Sequence, residues 1–257
     1  MLSFATIILW MLIQFPIYHS RHHHQHHNKT LTETKIVVAC VGDSITAGSG
    51  STDRRATSYP PQLENYLSKN ANSNTVYETI NFGVGGMTMM KDGDMPYWST
   101  QEFAEALKSQ PSIVIMAFGT NDAKKQNWNK TKFIADYVEM INEFKKLDRP
   151  PMIYICKPPP MYRAVYEIQP EIVNTKLPAI IPLIANMTST TVIDIFQWLG
   201  GSKLTKPHLF LNESKPLRWP NDGCHPNDAG YKAIARVIAK NILGPNFTQG
   251  KGNDKDD

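Results

Sequence analysis

The sequence predicts an α/β domain built on a mostly parallel, doubly wound sheet. Three observations carry that expectation. Short β-branched runs alternate with amphipathic segments along the chain. Most of the runs are apolar on both faces, as strands covered by helices on either side must be. The residues with chemical potential fall where the runs end, which is where open parallel sheets place their sites.

The runs are KIVVACV (35–41), VYETIN (76–81), SIVIMAFG (112–119), PMIYIC (151–156) and TTVIDIF (190–196). Between and after them lie helix candidates. QLENYLSKNA puts Leu63, Tyr66 and Leu67 on one side. KFIADYVEMINEFKKL aligns Phe133, Ile134, Tyr137, Val138, Ile141 and Phe144, and DAGYKAIARVIAKNIL aligns Tyr231, Ile234, Val237, Ile238 and Leu243. Spacings of three and four mark one buried face per helix.

Length and charge bound the rest. Of 257 residues, about 30 at the start and about 12 at the end are unlike globular sequence, leaving one domain of about 215. The boundaries read as 1–30, 31–245 and 246–257, the last a disordered tail. A net charge of +4 without a basic stripe argues against nucleic acid as a partner. The apolar core Phe4–Ile13 has the length of a signal peptide, so a secreted product is expected. An uncleaved anchor is the alternative, and membrane association is expected only in that case. The stretch RHHHQHH (21–27) reads as a solvated spacer. Five Asn-x-Ser/Thr sequons, at Asn28, Asn129, Asn186, Asn212 and Asn246, fit a secretory route. Cys40, Cys156 and Cys224 are an odd number and give no complete disulfide framework.

The first run ends in VGDSITAGSG (41–50), which raises two readings: a phosphate cradle or a raised nucleophile. Five residues separate Gly42 from Gly48, Ser49 follows, and no lysine comes before Lys69, so the phosphate-loop spacing fails. Ser44, just past a strand end, is left as a candidate nucleophile, against a plain Gly/Ser/Asp turn. After the second run, NFGVGGMTM offers Gly83, Gly85 and Gly86, either for tight packing or to aim a backbone N–H at a substrate oxygen. After the third, Asn121 of FGTNDAKK serves either as a cap or as an amide donor to an oxyanion. Near the C-terminus, NDGCHPNDAGY places Asp222 three residues before His225. Six of the eight histidines lie within 19–27, so a base for Ser44 must be His208 or His225, and only His225 has an acid beside it to fix its tautomer.

These blocks resemble the SGNH hydrolases, also called GDSL esterases. The matching residues are Gly42-Asp43-Ser44 with Ile45 in place of leucine, the glycine block Asn81–Gly86, Gly119-Thr-Asn121-Asp122, and Asp222-Gly-Cys-His225-Pro, in the family's order over about 185 residues. The resemblance implies a three-layer α/β/α, flavodoxin-like fold with a five-stranded sheet. It also implies Ser44 as nucleophile, Asp222 and His225 as its partners, an oxyanion hole from Ser44, Gly86 and Asn121, and no metal or other cofactor. Ala47–Gly50 are expected to leave room for the acyl end of a substrate.

KDGDMPYW, GTNDAKKQNW and YICKPPP are further similar to carbohydrate-directed members of the sialate O-acetylesterase and acetylxylan esterase type. On that likeness Tyr97, Trp98 and Trp128 are expected to line the mouth of the site against a glycan ester; the alternative is that they are packing. Met87, Met89, Met90 and Met95 leave a lysophospholipase or thioesterase reading open, and a catalytically inactive glycan binder is a third reading. The oligomeric state is not legible in the sequence.

Overall fold

The computed structural model describes residues 33–212 and 221–248. The expected signal or anchor, the histidine-rich spacer, Asn28 and the end of the tail lie outside them. Five strands form one all-parallel sheet in the order β2-β1-β3-β4-β5: β1 Thr34–Gly42, β2 Thr75–Gly83, β3 Ile113–Ala117, β4 Met152–Cys156 and β5 Thr191–Ile193. The helices are α1 Ser44–Ala47, α2 Tyr59–Lys69, α3 Gln101–Lys108, α4 Lys130–Lys145, α5 Leu177–Thr188, α6 Ile195–Trp198 and α7 Asp228–Leu243.

Strand alternation divides the core in two. Ala39, Val41, Val114, Met116, Ile153 and Ile155 face α3, α4 and α5, where they meet Phe103, Tyr137, Phe144 and Ile181. Val38, Cys40, Ile113, Ile115, Tyr154 and Cys156 face α2 and α7, where they meet Leu63, Leu67, Ile234 and Ile238. Successive side chains point to opposite faces, so runs buried on both sides must be apolar throughout. This is the three-layer arrangement expected. The chain turns in opposite directions from β1, to β2 on one side and β3 on the other, and the crevice at that switch lies beyond the C-terminal end of β1.

Four helices went unread in the sequence: α1 and α6 are single turns of four residues, and α5 and α3 are hidden for local reasons. The α5 segment carries Pro178 in its first turn and Pro182 inside, with a π turn, Ile172–Lys176, before it. Proline in a helix interior removes a hydrogen bond, so such a stretch reads as loop. The α3 segment is only eight residues long, capped by the Thr100 hydroxyl accepting from Phe103 N–H. The last strand is shorter than expected because Asp194 leaves it to cap α6, accepting from Gln197 N–H at 2.9 Å. In α2, Pro60 and Pro61 occupy the first turn, where no N–H is required, and the helix starts before the glutamine that opened the expected segment.

One glycine sets how closely the sheet approaches the site. A Cβ on Gly83, at the end of β2, would stand 2.2 Å from Ala47 N and 2.5 Å from Thr46 C of α1. Gly83→Ala must therefore push β2 away from α1. Such overpacking costs about 1–3 kcal/mol, or a melting temperature lower by about 2–10 °C in a domain of this size. Gly85→Ala is the control, since its Cβ would meet only Ser44 Cβ at 3.9 Å. Differential scanning calorimetry should show the first drop and hold the second variant within about 2 °C of wild type.

Candidate active site

Ser44 stands two residues beyond Gly42, at the first position of α1. Asp43 caps that short helix, its carboxylate accepting from Ile45 N–H at 2.9 Å. Asp43 is buried, and burial pushes its carboxyl up to about 6 against that hydrogen bond. Asp222 and His225 arrive on the loop before α7, 181 positions later in the case of the histidine. His225 Nε2 lies 2.9 Å from Ser44 Oγ, and Nδ1 lies 2.7 Å from Asp222 Oδ2.

Among the described residues, the Asp222 carboxylate accepts four hydrogen bonds. Oδ1 takes the N–H groups of Cys224 and His225, both at 2.8 Å; Oδ2 takes His225 Nδ1–H and, at 2.9 Å, the Tyr166 hydroxyl. Burial pushes Asp222 up, but the imidazole and the two backbone donors outweigh it and hold the carboxyl below its ordinary range. A carboxylate only accepts, so Nδ1 carries the proton and Nε2 presents a lone pair to the serine.

The first and last segments are fastened around this contact. Asp228 of α7 accepts from Thr52 N–H at 2.8 Å and from the hydroxyls of Thr52 and Thr57. Tyr231 donates to Ser49 O at 2.5 Å. Gly50, at φ +97°, lets the chain lie on the histidine loop, since a Cβ there would stand 2.6 Å from Pro226 O and 3.0 Å from His225 Cβ. Of Ala47–Gly50, Ser49 lines the cavity, while Gly48 closes α1 and Gly50 packs on the histidine loop.

The cavity over Ser44 has a volume of about 290 Å³, with Gly86, Asn121 and His225 in its wall. Among the described residues, the N–H groups of Ser44 and Gly86 donate to no backbone carbonyl. The Asn121 amide donates to Met87 O at 3.1 Å, which fixes its plane and ties the β3 loop to the glycine loop. Beside it, buried Asp122 accepts from Met89 and Met90 N–H at 3.0 and 2.8 Å, a second tie between the same loops. Burial pushes the Asp122 carboxyl up to about 7 against those two bonds. Cys224 also reaches the cavity, but burial pushes its thiol well above the ordinary range, so it stays protonated and poorly nucleophilic.

The three aromatics expected at the mouth are elsewhere. Tyr97 is fully buried: its hydroxyl donates to Phe82 O at 2.6 Å and its ring packs on Phe118 at 4.9 Å. Trp98 donates to Met89 O at 2.7 Å and packs edge-on against Phe103. Trp128 packs on Phe133. The cause is the 88–97 loop closing on itself, with Thr88 N–H donating to Met95 O and Tyr97 N–H to Thr88 O, which turns Tyr97 and Trp98 inward. Met89 and Met90 are fully buried core as well. The aromatic that does line the cavity is Tyr166, 48 % exposed, joined by Thr120, Lys124 and Ile168. No motif marks Tyr166 in the sequence; it belongs to the long loop after β4, and only tertiary structure brings it here.

Residues 40–233 match the GDSL-like lipase/acylhydrolase family. An acetylxylan esterase of Xylanibacter ruminicola is 30 % identical over 228 residues, covering 82 % of this chain, which spans 44 % of that relative's length. Among solved structures, the lipase/acylhydrolase from Enterococcus faecalis superposes with a TM-score of 0.62 at 21 % identity, over 81 % of this chain and 96 % of its own. An acetylxylan esterase from Geobacillus stearothermophilus gives 0.60 at 17 %, over 85 % and 99 %. A two-domain esterase active on acetylated mannans gives 0.59 at 18 %, over 84 % and 52 %. At those identities the superpositions speak for the fold, while the family match spans most of the chain. The chain belongs to the GDSL-like lipase/acylhydrolase family.

Proposed function

We propose that the protein is a serine esterase that removes short acyl groups, acetyl foremost, from carbohydrate hydroxyls through an acyl-enzyme. The observation that carries this reading is the Asp222–His225–Ser44 chain, with contacts of 2.7 and 2.9 Å, opening into a small cavity beside an amide and two N–H groups. Nε2 takes the Ser44 proton as Oγ attacks the ester carbonyl, and Asp222 stabilises the imidazolium that results. Ser44 N–H, Gly86 N–H and the Asn121 amide receive the developing oxyanion. The imidazolium then protonates the departing sugar oxygen. Water, activated by the same base, releases the acid and restores Ser44.

Two features favour a short acyl group on a sugar. The cavity, about 290 Å³ and walled by Ile168, Cys224 and Tyr166, accommodates a small acyl group and part of its leaving group. Tyr166 offers a half-exposed ring at the mouth, a surface suited to a sugar face. The 30 %-identical relative, an acetylxylan esterase, supports the same substrate class. We further propose secretion. The sequons at Asn129, Asn186, Asn212 and Asn246 lie at exposed positions, and among the described residues no helix is long and apolar enough to cross a membrane.

The substrate reading is tested with p-nitrophenyl esters from acetate to palmitate, run beside acetylated xylan. The expected result is a kcat/KM maximum at acetate and release of acetate from the glycan. Each buried methylene contributes about 0.8 kcal/mol, so a rise continuing to octanoyl, with no acetate released from xylan, would transfer the enzyme to the lipid-directed reading.

The oxyanion assignment is tested at Asn121. Asn121→Ala should lower kcat by about 10²–10³ with little change in KM. A variant with intact kcat and a lower melting temperature would reduce Asn121 to its structural tie to Met87.

A further inference from the structure

We propose that Tyr166 is a positioning residue that tunes the base: its hydroxyl shares the Asp222 oxygen used by His225 and so keeps the imidazole unprotonated to lower pH than Asp222 alone would allow. The proposal rests on the reading of Ser44, His225 and Asp222 given above.

Geometry supplies the link. Asp222 Oδ2 accepts both His225 Nδ1–H at 2.7 Å and Tyr166 Oη–H at 2.9 Å. The Tyr166 ring also stands edge-on to the imidazole, with centroids 5.8 Å apart. Burial first, then the neighbouring carboxylate, pushes the phenol well above its ordinary range, so it remains a donor throughout the working range. A second, independent observation is backbone conformation. Tyr166 and Glu167 sit at φ +55° and +59°, a left-handed pair without a glycine. Such conformations are costly and persist only where the surroundings impose them.

Here the surroundings do impose them. Glu167 O accepts from Lys125 N–H, Lys124 bridges to Ile168, and Gln169 N–H donates to Ala123 O at 3.1 Å. At its other end the same loop backs onto the Asp222 loop, with Tyr162 N–H donating to Gly223 O at 2.7 Å. The loop after β4 is thus pinned to the β3 loop and to the acid's own loop, and the strained residue at its tip meets the carboxylate.

The sign follows from where the charge lies. An O–H dipole on Oδ2 draws off negative charge that would otherwise stabilise the imidazolium. Without it the imidazolium is favoured, and the free base appears only at higher pH. Other groups face the pair: Asp43 from the end of β1, Tyr231 from α7, Cys224 from their own loop, Lys124 across the cavity, and Arg163 against Gly223. All of them are retained in Tyr166→Phe, which also keeps the ring that walls the cavity, so a shift in that variant belongs to the hydroxyl.

Two readouts on the full chain test the proposal. The first is NMR titration of the His225 ring nitrogens, which needs no turnover. The second is the acid limb of kcat/KM for p-nitrophenyl acetate. In Tyr166→Phe both midpoints should rise by about half to one pH unit. Midpoints coincident with wild type, whatever happens to the melting temperature, would overturn the proposal. If wild type shows no ester hydrolysis the functional reading fails, and the NMR midpoint still decides the role of Tyr166.

Discussion

The carboxylate of Asp222 is the group on which the rest of the site depends. It is 5 % exposed and accepts four hydrogen bonds, two from its own loop's backbone, one from the imidazole and one from Tyr166. A buried carboxylate with fewer donors would recover its burial cost by taking a proton. Protonated, it would no longer dictate which nitrogen of His225 carries the hydrogen. The tautomer, the direction of Nε2 and the 2.9 Å approach to Ser44 Oγ all follow from keeping this one group ionised.

The fold delivers that contact across most of its length. Ser44 comes from the first strand and His225 from the loop before the last helix, and no local interaction could join them. Parallel strand order places both beyond the C-terminal ends of the strands, and the switch between β2 and β3 around β1 opens the crevice. Side-chain clamps then refine what topology makes approximate. Asp228 holds the loop after α1, Tyr231 holds Ser49, and Asn121 and Asp122 hold the glycine loop. The cavity is correspondingly rigid in its polar half. Its remaining wall comes from the β4 loop, through Tyr166 and Ile168.

Legibility in the sequence divides along the same line. Strands β1, β3 and β4 were readable because burial on both faces demands unbroken apolar runs, and α4 and α7 because each shows a single stripe. Ser44, Asn121, Asp222 and His225 stood out because each follows a structural boundary with the right chemistry beside it. Helix α5 was hidden by Pro178 and Pro182, which end helices in most contexts but are held here by packing of Ile180, Ile181 and Ile184 into the core. Tyr97, Trp98 and Trp128 misled because an aromatic near a motif looks the same whether it faces solvent or core; closure of the 88–97 loop decides the first two, and packing on Phe133 the third. Tyr166 was invisible for the opposite reason. Its role is fixed by a loop with no periodicity and by a backbone conformation that residue type does not announce.

The central claim is that Ser44 becomes covalently acylated. Rapid-quench mixing of the wild-type chain with p-nitrophenyl acetate, followed by peptide mass analysis, addresses it directly. The account predicts a burst of nitrophenol close to one equivalent per chain if deacylation is slower than acylation. In the first milliseconds the peptide containing Ser44 should carry the mass of one acetyl group, and it should lose that mass as turnover ends. Hydrolysis that proceeds with no acetylated peptide when the deacylating step is slowed by acidification, or with acetyl found only on Cys224 or another residue, would contradict it.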